Sequence, residues 1–197
     1  MIGIVYYGAG NLFSLSAALD RLNLSYGLIR NPEDFEQYDR YIIPGVGHAG
    51  AAMRKLEATG LVPIIKTSKK PVLGICVGMQ LLTAYSEEGN ADLTEIVPLR
   101  TLHFDPSSGL KIPHTGWNKV QSVTENQLFE QIPQDAWFYF VHSYFIEYNP
   151  TFTIAATNYG TKFSAALQKD NFYGVQFHPE KSGTNGEQLL LNFSKLT

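Results

Sequence analysis

The segment Val72-Leu73-Gly74-Ile75-Cys76-Val77-Gly78-Met79-Gln80 decides how this chain is read. Pro71 precedes it, and Val72–Ile75 is the short apolar run expected of a strand buried on both faces. A helical run, Met79–Ala84, is expected to follow. Between the two, Gly-x-Cys-x-Gly has the spacing of a nucleophile elbow, a tight strand-to-helix turn that lifts a reactive side chain above the end of a sheet. Small residues at 74 and 78 are needed because such a turn crowds the neighbouring backbone. A thiol there sits at a helix N-terminus, whose positive end favours a thiolate. The Val77 N–H would point at a developing oxyanion. The competing reading is a buried structural cysteine between two ordinary glycines, and only a base can decide.

Composition narrows the context. The 197 residues suit one domain, 1–197, with a real hydrophobic core; 44% are hydrophobic and 17% charged, which argues against disorder. A net charge of −3 offers no bulk attraction to nucleic acid or an anionic membrane. Cys76 is the single cysteine, so no internal disulfide can form, and a lone thiol reads as a small hydrophobe or a nucleophile. Met1–Tyr7 lacks a basic flank and reads as a first strand, not a signal peptide. No apolar run approaches the ~20 residues needed to span a bilayer. The expectation is a soluble, cytoplasmic protein.

Outward from the elbow, the first half alternates strand and helix. Ile2–Tyr7, Tyr26–Ile29 and Arg40–Ile43 read as strands, Leu12, Leu15, Leu19 and Leu22 recur at helical spacing, and Ala49–Ala58 reads as a helix. This repetition predicts an α/β fold with an open, mostly parallel central sheet flanked by helices. The second half, from about Asp92 to Asn171, is a β-rich elaboration with runs at Trp137–Val141, Phe152–Thr157 and Phe163–Leu167. Lys169-Asp170-Asn171 reads as a hairpin loop into Phe172–Phe177, and Gly186–Leu196 as a closing helix burying Leu189, Leu190 and Phe193.

Five histidines are available as the base: His48, His103, His114, His142 and His178. Their scatter shows no metal-ligand spacing, and no motif calls for a metal or a cofactor. His178 stands apart, in Gly174-Val175-Gln176-Phe177-His178-Pro179-Glu180. Pro179 biases His178 toward extended backbone. In extended chain residues two apart share a face, so Glu180 can orient the imidazole while its other nitrogen takes the thiol proton.

These residues resemble a known family, the class I (triad) glutamine amidotransferases. The resemblance rests on Gly74-Ile-Cys76-Val-Gly78-Met-Gln80, His142-Ser143-Tyr144 and Phe177-His178-Pro179-Glu180. It is closest to one branch, the glutaminase subunits of imidazole glycerol phosphate synthases in histidine biosynthesis. The branch features are Tyr7-Gly8-Ala9-Gly10-Asn11-Leu12, Pro44-Gly45-Val46-Gly47, Gly116-Trp117-Asn118, Tyr139 to Tyr144, and Lys181-Ser182-Gly183 after the triad glutamate. They run in order from end to end.

The resemblance implies a chemistry for each position. Cys76 would attack the amide carbon of L-glutamine, with His178 as base and then acid and Glu180 as orienter. A glutamyl thioester forms, ammonia leaves, and water completes hydrolysis to glutamate. Gln80, Gly47, Ser143 and Tyr144 match substrate-holding positions, and Val77 and Val46 would supply the oxyanion N–H groups. Many relatives carry a run of glycines where this chain has Pro44-Gly45-Val46-Gly47. A β-branched Val46 resists the backbone flip that would aim its N–H, so a gated site is expected. The implied partner is a (β/α)8-barrel cyclase that receives the ammonia within a heterodimer. Asn11, Tyr139 and Lys181 are read as facing it, against the alternatives of a helix cap, a packed ring and a solvated amine.

Other signals are set aside. Gly8-Ala9-Gly10-Asn11-Leu12-Phe13 lacks the third glycine of a dinucleotide fingerprint, and Arg30 stands where its acidic residue would fall. The aromatics of Trp137–Phe145 alternate as a strand core does, not as a base-stacking platform. Three alternatives remain open: a cysteine peptidase or hydrolase on the same elbow, an amidotransferase of another pathway such as anthranilate, aminodeoxychorismate or surface-sugar amidine synthesis, and a non-enzymatic adaptor.

Overall fold

A computed structural model describes residues 1–197. Its elements in chain order are β1 (Ile2–Val5), α1 (Leu12–Arg21), β2 (Tyr26–Ile29), β3 (Arg40–Gly45), α2 (Ala49–Ala58), α3 (Val62–Thr67), β4 (Val72–Cys76), α4 (Val77–Gln80), β5 (Thr83–Ser86) and β6 (Ala91–Asp92). There follow β7 (Val97–His103), β8 (His114–Ser122), β9 (Ala136–His142), β10 (Tyr144–Ile146), β11 (Thr153–Tyr159), β12 (Thr161–Lys169), β13 (Phe172–Val175) and α5 (Gly183–Phe193).

Nine strands form one sheet in the order β2-β1-β3-β4-β13-β12-β11-β8-β9. The α/β reading holds, and the sheet is mixed. From β2 to β13 the neighbours run parallel; from β13 to β9 they run antiparallel. The β-rich second half therefore extends the central sheet instead of covering it. A smaller sheet, β10-β7-β5-β6, packs beside it. In β1, β4 and β13 every residue is buried, as strands covered on both faces require. In α1 the inward stripe is Leu15, Ala18 and Leu19. No helix is long and apolar enough to cross a membrane.

Several boundaries differ from expectation, each for a local reason. The helix read at Met79–Ala84 is a single turn, Val77–Gln80, and Thr83 already belongs to β5. Thr83, a β-branched residue, caps the turn by donating to the Gln80 carbonyl at 2.8 Å and pairs onward with Val97. The run Phe172–Phe177 leaves the sheet at Val175, three residues before the His-Pro pair. The closing helix begins at Gly183, three residues earlier than read, and ends at Phe193; it buries Leu189, Leu190 and Phe193 as expected. The hairpin tightens to Asp170-Asn171, because Lys169 pairs directly with Phe172. Asp170 takes φ 52, the left-handed conformation such a two-residue loop needs.

Candidate active site

Three adjacent parallel strands, β3, β4 and β13, end at one level. Gly45 of β3 stands in register with Cys76 of β4, and Val175 of β13 with Ile75. The segments leaving those ends carry Val46 and Gly47, Cys76 itself, and His178. A crevice outside the carboxyl ends of parallel strands is where open α/β sheets place ligands.

Cys76 has φ 54 and ψ −110, a region that costs a non-glycine residue about 1–3 kcal/mol. The strain persists because both flanking glycines are wedged. A Cβ on Gly78 would overlap the Ile43 carbonyl oxygen, and one on Gly74 would overlap the Gly78 carbonyl. That contact explains Gly-x-Cys-x-Gly better than turn propensity does. The following helix is one turn long, so its macrodipole is small, and the N–H groups of the turn itself, Val77 first, are the local positive feature.

Cys76 is 3% exposed, yet it lines a cavity of about 160 Å³ with Val46, Gly47, Gln80, Glu88, His142, Ser143, Tyr144 and His178. Cys76, His178 and the expected substrate-holding positions thus meet around one hollow, with Glu180 behind the imidazole. It lies well below the ~300 Å³ at which pockets for drug-sized ligands begin, and suits a molecule of amino-acid size. A wider hollow of about 640 Å³ lies between Ser122 and Gln134, but no cysteine or histidine lines it.

His178 is 1% exposed, and its Nδ1 lies 2.8 Å from Glu180 Oε1, a carboxylate whose side chain is itself only 4% exposed. The backbone between them is not extended as the sequence suggested. Pro179 opens a 3-10 turn, Pro179–Lys181, and the turn swings Glu180 back beneath the imidazole. The turn is locked from outside. Ser182 Oγ donates to the His178 carbonyl and receives the Tyr139 N–H, while the His178 N–H donates to the Tyr139 carbonyl at 2.9 Å. His178 Nε2 is buried, and Cys76 lies close enough to interact with the imidazole. Burial by itself would lower the His178 pKa. Hydrogen bonding and charge from Cys76 and Glu180 outweigh it and push the imidazole up to about 10.

Four residues of the site had been given no role in it from the sequence. Gln176, fully buried, points Nε2 at Cys76 Sγ from 3.7 Å and receives Gln80 Nε2 on its Oε1 at 3.2 Å. Glu88 lines the cavity while its Oε2 accepts the Ala49 N–H at 2.6 Å, at the start of α2. Tyr7 donates to the Pro44 carbonyl at 2.7 Å, bracing the segment before Val46; burial, then the charge of Cys76, push its phenol pKa up. His142 enters the cavity wall beside Ser143. Of the residues read as partner-facing, Asn11 caps α1 by accepting the Ser14 N–H at 3.2 Å, Tyr139 is half-buried, and Lys181 is exposed with its amine 6.0 Å from the Tyr139 ring centre.

Residues 4–196 match the family described as glutamine amidotransferase class-I, and the chain belongs to that family. It is a glutamine amidotransferase, with glutaminase chemistry. Within the family it is 47% identical over 192 residues to imidazole glycerol phosphate synthase subunit HisH of Pasteurella multocida, covering 98% of this chain and 96% of the relative. It is 45% identical over 196 residues to the HisH subunit of Bacteroides thetaiotaomicron, covering 99% of each. Among solved structures, a putative GMP synthase subunit from Thermoplasma acidophilum shares the fold with a TM-score of 0.74 at 20% identity, over 98% of this chain and 91% of that one. PurLQS from Thermotoga maritima does so with a TM-score of 0.73 at 15% identity, over 98% and 96%.

Proposed function

We propose that the chain is the glutaminase subunit of an imidazole glycerol phosphate synthase, hydrolysing L-glutamine and passing the ammonia to a cyclase partner. The carrying observation is a strained cysteine at the floor of an amino-acid-sized cavity, faced by a histidine whose far nitrogen is held by a buried glutamate. The destination of the ammonia follows from the HisH subunits, to which the chain is similar over nearly its whole length.

In this reading His178 Nε2 takes the Cys76 thiol proton and Sγ adds to the side-chain carbonyl carbon of glutamine, forming a C–S bond, while the carbonyl oxygen becomes an oxyanion. The N–H groups of Val77 and Val46 hold that charge. His178 Nε2 delivers its proton to the leaving nitrogen, the C–N bond breaks, and ammonia departs, leaving the glutamyl thioester. Water then gives His178 a proton and attacks the thioester, and glutamate leaves as the sulfur is restored. Glu180 keeps Nδ1 protonated and stabilises the imidazolium at each stage. Gly47, Gln80, Ser143 and Tyr144 hold the substrate, and the Glu88 carboxylate stands opposite its α-ammonium.

The partner is a (β/α)8-barrel cyclase that forms a heterodimer with this chain. Val46 is 40% exposed and β-branched, so the reorientation that aims its N–H depends on that partner. Asn11, Tyr139 and Lys181 face it. The test is co-purification of a synthase subunit followed by glutamine-dependent cyclisation. A partner from a different ammonia-consuming pathway would redirect the assignment while leaving the glutaminase chemistry intact.

A further inference from the structure

Two buried histidines, His114 and His142, lie outside the triad and face one another across β8 and β9. Their protons can be placed from neighbours that have no choice of role. The Tyr144 carbonyl only accepts, and His142 Nδ1 lies 2.7 Å from it, so that nitrogen carries a proton. His142 Nε2 is then an acceptor, and His114 Nδ1, 3.0 Å away, is its donor. His114 Nε2 in turn accepts from Asn118 Nδ2 at 3.4 Å, an amide that also donates to the Asn158 carbonyl at 3.0 Å. Burial holds His114 down to about 4 and His142 down to about 3, so both rings are neutral near pH 7.

The Tyr144 carbonyl has a second donor on its other side, Gln80 Nε2 at 3.1 Å. That bond fixes which way the Gln80 amide faces. Its Oε1 is left buried without a protein partner beside the cavity. Because Gln80 Nε2 also donates to Gln176 Oε1, the Gln176 amide is fixed as well, with its N–H toward Cys76. One line of hydrogen bonds, Asn118–His114–His142–Tyr144 carbonyl–Gln80–Gln176, ends at the sulfur.

We propose that His114 and His142 are positioning residues for glutamine: as neutral Nδ1–H tautomers they pin the Tyr144 carbonyl, which orients Gln80 to accept from the substrate and Gln176 to donate to Cys76. This rests on the glutaminase reading above. Histidine suits the task because each ring passes on a hydrogen bond through two nitrogens without carrying charge. Without the His114 donor, His142 Nε2 is left buried and unpaired, and the ring loses the contact that holds its Nδ1–H against the Tyr144 carbonyl.

Ring-nitrogen NMR on the 15N-labelled chain reads the tautomers directly. Both residues should show a protonated Nδ1 and an unprotonated Nε2 near pH 7; an Nε2–H tautomer or an imidazolium at either position overturns the proposal. The second arm is His114→Phe, which keeps a ring against Phe140 and Tyr159 (centroids 5.0 and 4.0 Å away) but removes the donor. In complex with the synthase partner, KM for glutamine should rise about tenfold with kcat held within about threefold. Ammonium-driven synthesis should be unchanged. An unaltered KM, or a fall in kcat alone, overturns the proposal. If wild type releases no glutamate at all, the glutaminase reading fails instead, and the tautomer measurement remains decisive should the variant not fold.

Discussion

At the residue scale, the site depends on the company His178 keeps. A carboxylate beneath Nδ1 and a sulfur before Nε2 together raise its pKa to about 10. Glu180→Gln keeps the shape of the side chain but removes the charge that supports the imidazolium. It should lower kcat by a factor on the order of 10²–10⁴, with KM within a few-fold, in steady-state glutamine hydrolysis. A large rise in KM instead would place Glu180 in substrate binding. The same coupling carries a stability signature. A histidine whose folded pKa lies above its unfolded value of about 6.5 stabilises fully below that pH and loses the contribution as pH rises through about 10. Wild type should therefore lose denaturation free energy between pH 7 and 10, and Cys76→Ser, which removes one source of the shift, should lose less. Parallel curves for the two would show that the sulfur and imidazole do not interact.

At the element scale, the strand-to-helix turn is held in a costly conformation by backbone contact. Gly78→Ala drives a methyl into the Ile43 carbonyl and should cost about 1–3 kcal/mol or more in chemical denaturation. A neutral result would mean that β3 and the turn are not in contact. The β8–β9 pair has its own pH dependence, opposite in sign to that of His178. His114 and His142 have folded pKa values below the unfolded one, so their contribution is complete above pH 6.5 and is lost as pH falls toward about 4 and about 3. The midpoint of thermal unfolding should drop on acidification across that window, and less so in His114→Phe.

Much of this is legible in the sequence, and the misses have physical causes. The elbow is visible because close approach demands glycine at two fixed positions around Cys76. The His178–Glu180 pair emerges for a reason that is half right: His178 is extended, as the following proline predicts, but Pro179 then starts a 3-10 turn, and that turn brings Glu180 back to the ring. The helix after the elbow reads too long, because Leu81 and Leu82 continue an apolar stripe that tertiary pairing of Thr83 cuts short. Gln176, Glu88 and Tyr7 give no local signal. Their partners lie 100, 39 and 37 residues away in the chain, and only the fold brings them together.

At the scale of the whole molecule, an α/β sheet with its strand ends converging on one cavity accounts for ammonia release. A glutaminase that makes a diffusible, reactive product benefits from staying silent until the acceptor is ready. We propose the exposed, β-branched Val46 as the place for that control. The isolated chain should hydrolyse glutamine at least an order of magnitude more slowly than the complex carrying the synthase substrate. Comparable turnover with and without the partner would remove the gating role assigned to Val46. The most direct measurement is glutamate release from L-glutamine by the assembled complex, wild type beside Cys76→Ser, with synthesis driven by glutamine or by added ammonium. Cys76→Ser should lose glutamate release and glutamine-driven synthesis yet keep the ammonium-driven reaction. Glutamate release by the variant at the wild-type rate would contradict Cys76 as the nucleophile.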